Sequence, residues 1–143
     1  MREFFLDAQL ALLQLPDQHR IGQRTAHFLF ELAFQPGTFQ IKLGTEELKR
    51  IYARTEVFIV NLEEAQRILR ADSGDVKILM KKLSELGPRI VLVTDGPSGA
   101  YMYDGEKSYF MPIYPDPKPP LERTGSGDAF ASTYTAALAI GRS

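Results

Sequence analysis

Apolar residues in this chain fall into short dense runs, separated by stretches whose apolar positions recur at helical spacing. Glu56–Val60 and Arg89–Thr94 are almost continuous in β-branched and aromatic side chains, the pattern of strands covered on both faces. Ala8–Leu15, bounded by Pro16, reads as a further buried strand, with a short helix as the alternative. Leu32–Phe34 predicts a short strand ended by the turn signal Gln35-Pro36-Gly37. Helical spacing predicts a helix over Ile21–Phe30. A second would start at Thr45 as N-cap, with Glu46 and Glu47 in its first turn, Arg50 and Arg54 near its end, and Leu48, Ile51 and Tyr52 on one face. Asn61 is placed to cap Leu62–Arg70, where Ala65, Ile68 and Leu69 form an apolar stripe. Ser73–Leu86 predicts another helix, stopped by Gly87-Pro88.

Beyond Gly99 the period shortens. Ala100–Tyr103 and Lys107–Met111 flank Asp104-Gly105, a hairpin signal. Pro112, Pro115, Pro117, Pro119 and Pro120 then impose an extended loop, because proline has no N–H and restricts the residue before it. Asp128–Ile140 is the last predicted helix, ending at Gly141. Strands alternating with helices imply βαβ units, hence a mainly parallel sheet with helices on both faces. No repeat, low-complexity tract or internal domain boundary is visible, so residues 1–143 are read as one domain.

Composition narrows the function classes. The chain has 143 residues, 44% of them hydrophobic, enough for a core. Lys plus Arg total 17 against 18 Asp plus Glu, a balance that points away from nucleic acid and from a membrane surface. With no cysteine, disulfides, thiolate catalysis and Cys-based metal sites are excluded. No apolar run reaches the ~18 residues of a membrane span, and Met1–Asp7 does not resemble a signal peptide. A soluble cytoplasmic protein is expected. His19 and His27 have no second ligand at a useful spacing and read as surface or partly buried side chains. Tyr101 and Tyr103 read as one strand face, and Phe4 and Phe5 as core.

Chemistry concentrates in Thr124-Gly125-Ser126-Gly127-Asp128. Glycines before a helix let the backbone approach a ligand, and a helix start presents unpaired N–H groups with a partial positive charge, a setting that suits phosphate. Asp128 has two readings: a helix N-cap, or a carboxylate beside an anion hole that accepts a proton from an attacking hydroxyl. Asn61-x-x-Glu64, directly after a strand, likewise reads as a capping box or as a site where Glu64 holds hydrated Mg²⁺ beside a polyphosphate. Thr94-Asp95-Gly96-Pro97-Ser98-Gly99 reads as an ordinary loop or as a nucleotide-phosphate loop at a strand's C-terminal end. A dinucleotide fingerprint fits poorly, since Phe130 stands where its third glycine belongs.

In this order, Asn61-Leu62-Glu63-Glu64, Thr94–Gly99 and Glu122–Thr133 resemble the signature segments of the PfkB/ribokinase-like carbohydrate kinases, and Gln35-Pro36-Gly37-Thr38 is similar to a turn frequent in them. The resemblance runs from about Ala8 to Gly141. It implies a three-layer α/β/α sandwich with a mainly parallel, Rossmann-like (ribokinase-like) sheet, here incomplete. It implies ATP-dependent phosphoryl transfer to a sugar or nucleoside hydroxyl. Asp128 matches the catalytic base; Gly125, Ser126 and Gly127 the anion hole; Thr94, Gly96, Gly99 and Thr124 the nucleotide-binding residues; Asn61 and Glu64 the motif that organises Mg²⁺ through water. Glu122 and Arg123 replace the usual Asp and Thr, which weakens the case for a monovalent-cation site, although Glu-Arg-Thr-Gly is similar to a variant in some members.

Family members carry an N-terminal sugar-binding and lid half and further C-terminal helices that this sequence lacks. The chain is therefore expected to be a partial kinase domain that binds nucleotide weakly and transfers phosphate negligibly alone. The alternative is a non-catalytic remnant that binds a nucleotide or a protein, with a homodimer as one outcome of exposed edges and apolar faces.

Overall fold

The computed structural model describes residues 32–115 and 124–140. The expectations for Phe4, Phe5, Ala8–Leu15, His19, Ile21–Phe30, Glu122 and Arg123, and for the end of the proline-rich loop, lie outside the described residues. Among those residues, β1 (Leu32–Phe34), β2 (Thr55–Asn61), β3 (Ile90–Thr94), β4 (Ala100–Tyr103) and β5 (Ser108–Met111) form one sheet in that spatial order. β1, β2 and β3 are parallel, and β4 and β5 return antiparallel. The helices are α1 (Thr38–Leu43), α2 (Lys49–Tyr52), α3 (Leu62–Leu69), α4 (Val76–Glu85) and α5 (Ser126–Ala139).

The continuous hydrophobicity of β2 and β3 follows from cover on both faces. Phe58 and Val60 pair in register with Val91 and Val93, and these four point to the side packed by Leu48, Tyr52, Ala65, Leu79, Met80 and Leu83. The alternate residues Val57, Ile59, Ile90 and Leu92 face the other way, onto Ala131 of α5 with Phe130, Tyr134 and Leu138 around it. The crossover helices thus lie on one face and α5 on the other, the three layers expected of a mainly parallel α/β sheet. Both faces are legible in the sequence because side chains alternate along a strand.

Several element boundaries differ from expectation. Residues 38–43 form α1 where no helix was anticipated, with the Gln40 side chain accepting from the Gly37 N–H at 3.1 Å. Gly44, at φ +89°, ends it. The helix expected from Thr45 shrinks to α2, with Leu48 at its N-cap and a turn over 45–48. Burial of Leu48 and Tyr52 beside Phe34 outweighs the cap at Thr45. α4 starts at Val76 rather than near Ser73, because Asp75 Oδ1 accepts from the N–H groups of Lys77 and Ile78 at 2.9 and 3.3 Å. In the β4–β5 hairpin, Asp104 Oδ1 accepts from the N–H groups of Lys107 and Glu106 at 2.7 and 2.9 Å, holding the carboxyl below its ordinary range.

Tyr52 carries a testable consequence of the packing. It is 1% exposed and meets Phe34 and Phe58 edge-on, with ring centroids 5.8 and 5.3 Å away. Its hydroxyl finds no hydrogen-bond partner among the described residues, and burial pushes its pKa up to about 12 from 10. The unfolded phenol ionises first as pH rises, so folding stability is full below pH 10 and declines as pH climbs through 12. Tyr52→Phe should stabilise the protein by ~1 kcal/mol at neutral pH by removing an unpaired buried hydroxyl. It should also flatten the alkaline decline. Urea midpoints at neutral pH and within that window check both; equal base sensitivity in the variant would refute the account.

Candidate functional site

Because β1, β2 and β3 are parallel, their C-terminal ends lie at one edge of the sheet, where ligands collect in open α/β folds. Gln35 follows β1 there, Asn61 closes β2 and Thr94 closes β3, and Asn61 and Thr94 are direct register partners. Two of the sequence motifs are therefore side by side.

Asn61 is the N-cap of α3. Its Oδ1 accepts from the Glu64 N–H at 2.8 Å, and Glu64 Oε2 accepts from the Asn61 N–H at 2.9 Å. The capping box is thus fully formed, with Glu63 and Glu64 in a first turn that favours negative charge. The box also fixes the Glu64 carboxylate at the sheet edge. Among the described residues no three His, Asp or Glu side chains gather as a metal cage. A single carboxylate with one oxygen already engaged fits a hard cation held mainly through water and phosphate oxygens, and does not fit a protein cage.

After Thr94 the chain forms a 3₁₀ turn over Gly96–Ser98. Asp95 N–H donates to Gly99 O at 2.8 Å, Ser98 N–H to Asp95 O at 2.8 Å and Gly99 N–H to Gly96 O at 3.2 Å. The amide of Gly99 is consumed inside the loop, so Gly99 shapes this segment rather than presenting its N–H. Its φ of +102° and the approach of Met111 O, 2.4 Å from where a Cβ would stand, leave room only for glycine.

The fourth motif opens α5. Gly125 occupies the N-cap at φ +80°, where glycine is readily accommodated, and offers no capping side chain. Its carbonyl accepts from the Ala129 N–H at 2.9 Å, which starts the helix two residues before the expected Asp128. The N-cap reading of Asp128 is accordingly corrected: Asp128 stands at the third helical position and makes no cap. Ser126, Gly127 and Asp128 supply the first-turn amides, whose N–H groups have no helical carbonyl before them. All three residues, with Thr124 and Gly125, are exposed. Asp128 reaches the sheet edge through Gln35, whose Nε2 donates to Asp128 Oδ1 at 3.2 Å. Sequence reasoning missed Gln35; the Gln35-Pro36-Gly37-Thr38 turn was its only trace. An open depression along α3 and the residues after it, lined by Glu63, Gln66, Arg67, Arg70, Ala71 and Asp72, includes Glu63 of the Asn61–Glu64 segment but neither Asn61 nor Glu64.

Residues 5–143 match the model of the pfkB family carbohydrate kinases. A cytidine kinase from Thermococcus kodakarensis is 35% identical over 95 residues, covering 66% of this chain and 34% of that protein. An ATP-dependent 6-phosphofructokinase from Thermoanaerobacterium thermosaccharolyticum is 30% identical over 98 residues, covering 68% and 29%. Among solved structures, Arabidopsis thaliana ribokinase complexed with ribose and ATP superposes with a TM-score of 0.60 at 24% identity, covering 66% of this chain and 31% of that one. The chain spans about a third of the length of the curated relatives it matches, and its sheet has the ribokinase-like architecture. With the match running over nearly every residue, the chain belongs to the pfkB family of carbohydrate kinases.

Proposed function

We propose that this chain carries the phosphoryl-transfer end of an ATP-dependent kinase acting on a hydroxyl of a sugar or nucleoside. The observation that carries the reading is the start of α5: a left-handed glycine cap, first-turn amides on exposed residues and an acid at the third position, tied to the C-terminal edge of the sheet. In the step itself, the acceptor hydroxyl oxygen attacks the γ-phosphorus, the bond from that phosphorus to the β-phosphate oxygen breaks, ADP departs and the hydroxyl proton passes to Asp128. The amides of Gly125, Ser126 and Gly127 face the charge that gathers on the moving phosphoryl group. Thr94, Gly96, Gly99 and Thr124 shape the nucleotide side. Asn61 and Glu64 would hold hydrated Mg²⁺, which when bound neutralises phosphate charge. The domain assignment for residues 1–143, a partial kinase domain, rests on the same reading.

Two titrations and a transfer assay test it. ATP with Mg²⁺ should bind weakly by calorimetry. Single-turnover transfer from γ-labelled ATP, with the chain in excess, should be slow against the ~1–10³ s⁻¹ of complete enzymes, because acceptor positioning is incomplete. Cytidine and fructose 6-phosphate are the first acceptors to try. Glu64→Gln preserves the capping box, so its melting point should hold while Mg²⁺-dependent ATP binding weakens. Asn61→Ala should instead cost ~1 kcal/mol of stability. No ATP binding at millimolar nucleotide would sink the proposal.

A second reading, a nucleotide- or protein-binding module without turnover, is favoured by the exposed apolar run Phe110, Met111, Ile113 and Tyr114 at the open side of β5. Binding without transfer, together with a concentration-dependent dimer in light scattering, would select it.

A further inference from the structure

We infer that Gln35 is a positioning residue for Asp128: its side-chain amide holds one carboxylate oxygen so that the other is presented to the acceptor hydroxyl. The inference rests on the reading of Asp128 as proton acceptor. The contact joins residues 93 apart in sequence, Gln35 Nε2 to Asp128 Oδ1 at 3.2 Å. An ionised carboxylate can only accept, so the amide must turn its NH₂ group toward Asp128; the orientation is dictated by chemistry. Gln35 is also seated against Gly127, where an added Cβ would come within 3.9 Å of the same nitrogen. Its backbone is pinned on both sides: Phe34 is buried in the aromatic cluster with Tyr52 and Phe58, Pro36 is buried, and Gly37 N–H donates to Gln40 Oε1. A rigid strand end therefore delivers a donor to a carboxylate on a separate helix.

A contact between two exposed residues adds little stability. Its leverage is angular. Asp128 at a helix start can rotate about two side-chain bonds, and a misplacement of about 1 Å in a reacting group can cost as much as ~100-fold in rate. Engaging Oδ1 restricts that rotation and leaves Oδ2 for the proton.

The test uses the whole chain. Gln35→Ala should lower the single-turnover transfer rate ~10-fold or more, with ATP affinity within about twofold of wild type and an unchanged melting point. Gln35→Glu, of equal size but carrying a carboxylate against Asp128, should lower the rate further. A role confined to tethering α5 would instead move ATP affinity and melting together. Independently of turnover, the Gln35 side-chain amide signal in nitrogen–proton NMR should shift in Asp128→Asn; no shift would show the bond absent and overturn the inference. If Asp128→Asn abolishes transfer and Gln35→Ala leaves it intact, the positioning role fails and the base assignment stands. If Asp128→Asn transfers normally, the kinase reading of Asp128 fails and takes this inference with it.

Discussion

Asp128→Asn should reduce phosphoryl transfer by ~10²–10⁴-fold, the usual contribution of a positioned general base, while the fold is retained. Asp128 is exposed at the third position of α5 and caps nothing. Asparagine keeps the volume and an oxygen that can accept from Gln35. What it loses is the negative charge at a helix N-terminus, a stabilisation of ~0.3–1 kcal/mol, and the capacity to take a proton. ATP affinity should hold or tighten, since the change removes a negative charge beside the phosphates. Single-turnover rates and calorimetry on the same preparation separate the two quantities. An unaltered rate would remove Asp128 from the mechanism; a collapsed fold would mean that the carboxylate is structural after all.

The second large effect is expected at Gly99. At φ +102° and ψ −152° the residue occupies a region open essentially to glycine alone, worth ~1–3 kcal/mol of strain for any other residue. A Cβ there would stand 2.4 Å from Met111 O and 3.1 Å from both the Phe110 ring and Pro112 Cα. Met111 O belongs to the backbone of β5 and cannot rotate aside, so the strand must shift. Gly99→Ala should therefore cost several kcal/mol, a large part of the ~5–15 kcal/mol that holds a domain together. Gly96→Ala is the control. Gly96 also has positive φ, +46°, but nothing lies within 4 Å of its would-be Cβ, and the cost should stay near ~1–2 kcal/mol, the ordinary penalty of a left-handed residue. Urea unfolding of the pair decides it. Equal midpoints would show that the contact with β5 does not constrain the loop.

The strands at the centre of the sheet were readable because burial on both faces leaves no choice of residue: Val57 to Val60 and Ile90 to Val93 must all be apolar. The start of α3 was readable for a local reason, since Asn61 and Glu64 satisfy each other within one turn. Elements whose limits depend on distant partners were read less well. Thr45 is a sound cap in isolation, yet the helix waits for Leu48, because Leu48 and Tyr52 have to reach Phe34 across the core. α1 went unseen because its six residues bury none of their side chains fully and so leave little apolar pattern.

Motif spacing along the chain was enough to single out Thr124–Asp128, Asn61, Glu64 and the Thr94–Gly99 loop as candidates for phosphate chemistry, since backbone amides at a helix start and glycine turns are properties of a few adjacent residues. Three matters lay beyond it: that α5 begins at Ser126, that Gly99 surrenders its amide to the loop, and that Gln35 meets Asp128. Each depends on where separate strands and helices come to rest, and contacts between residues far apart in sequence carry no periodicity that a single chain can display.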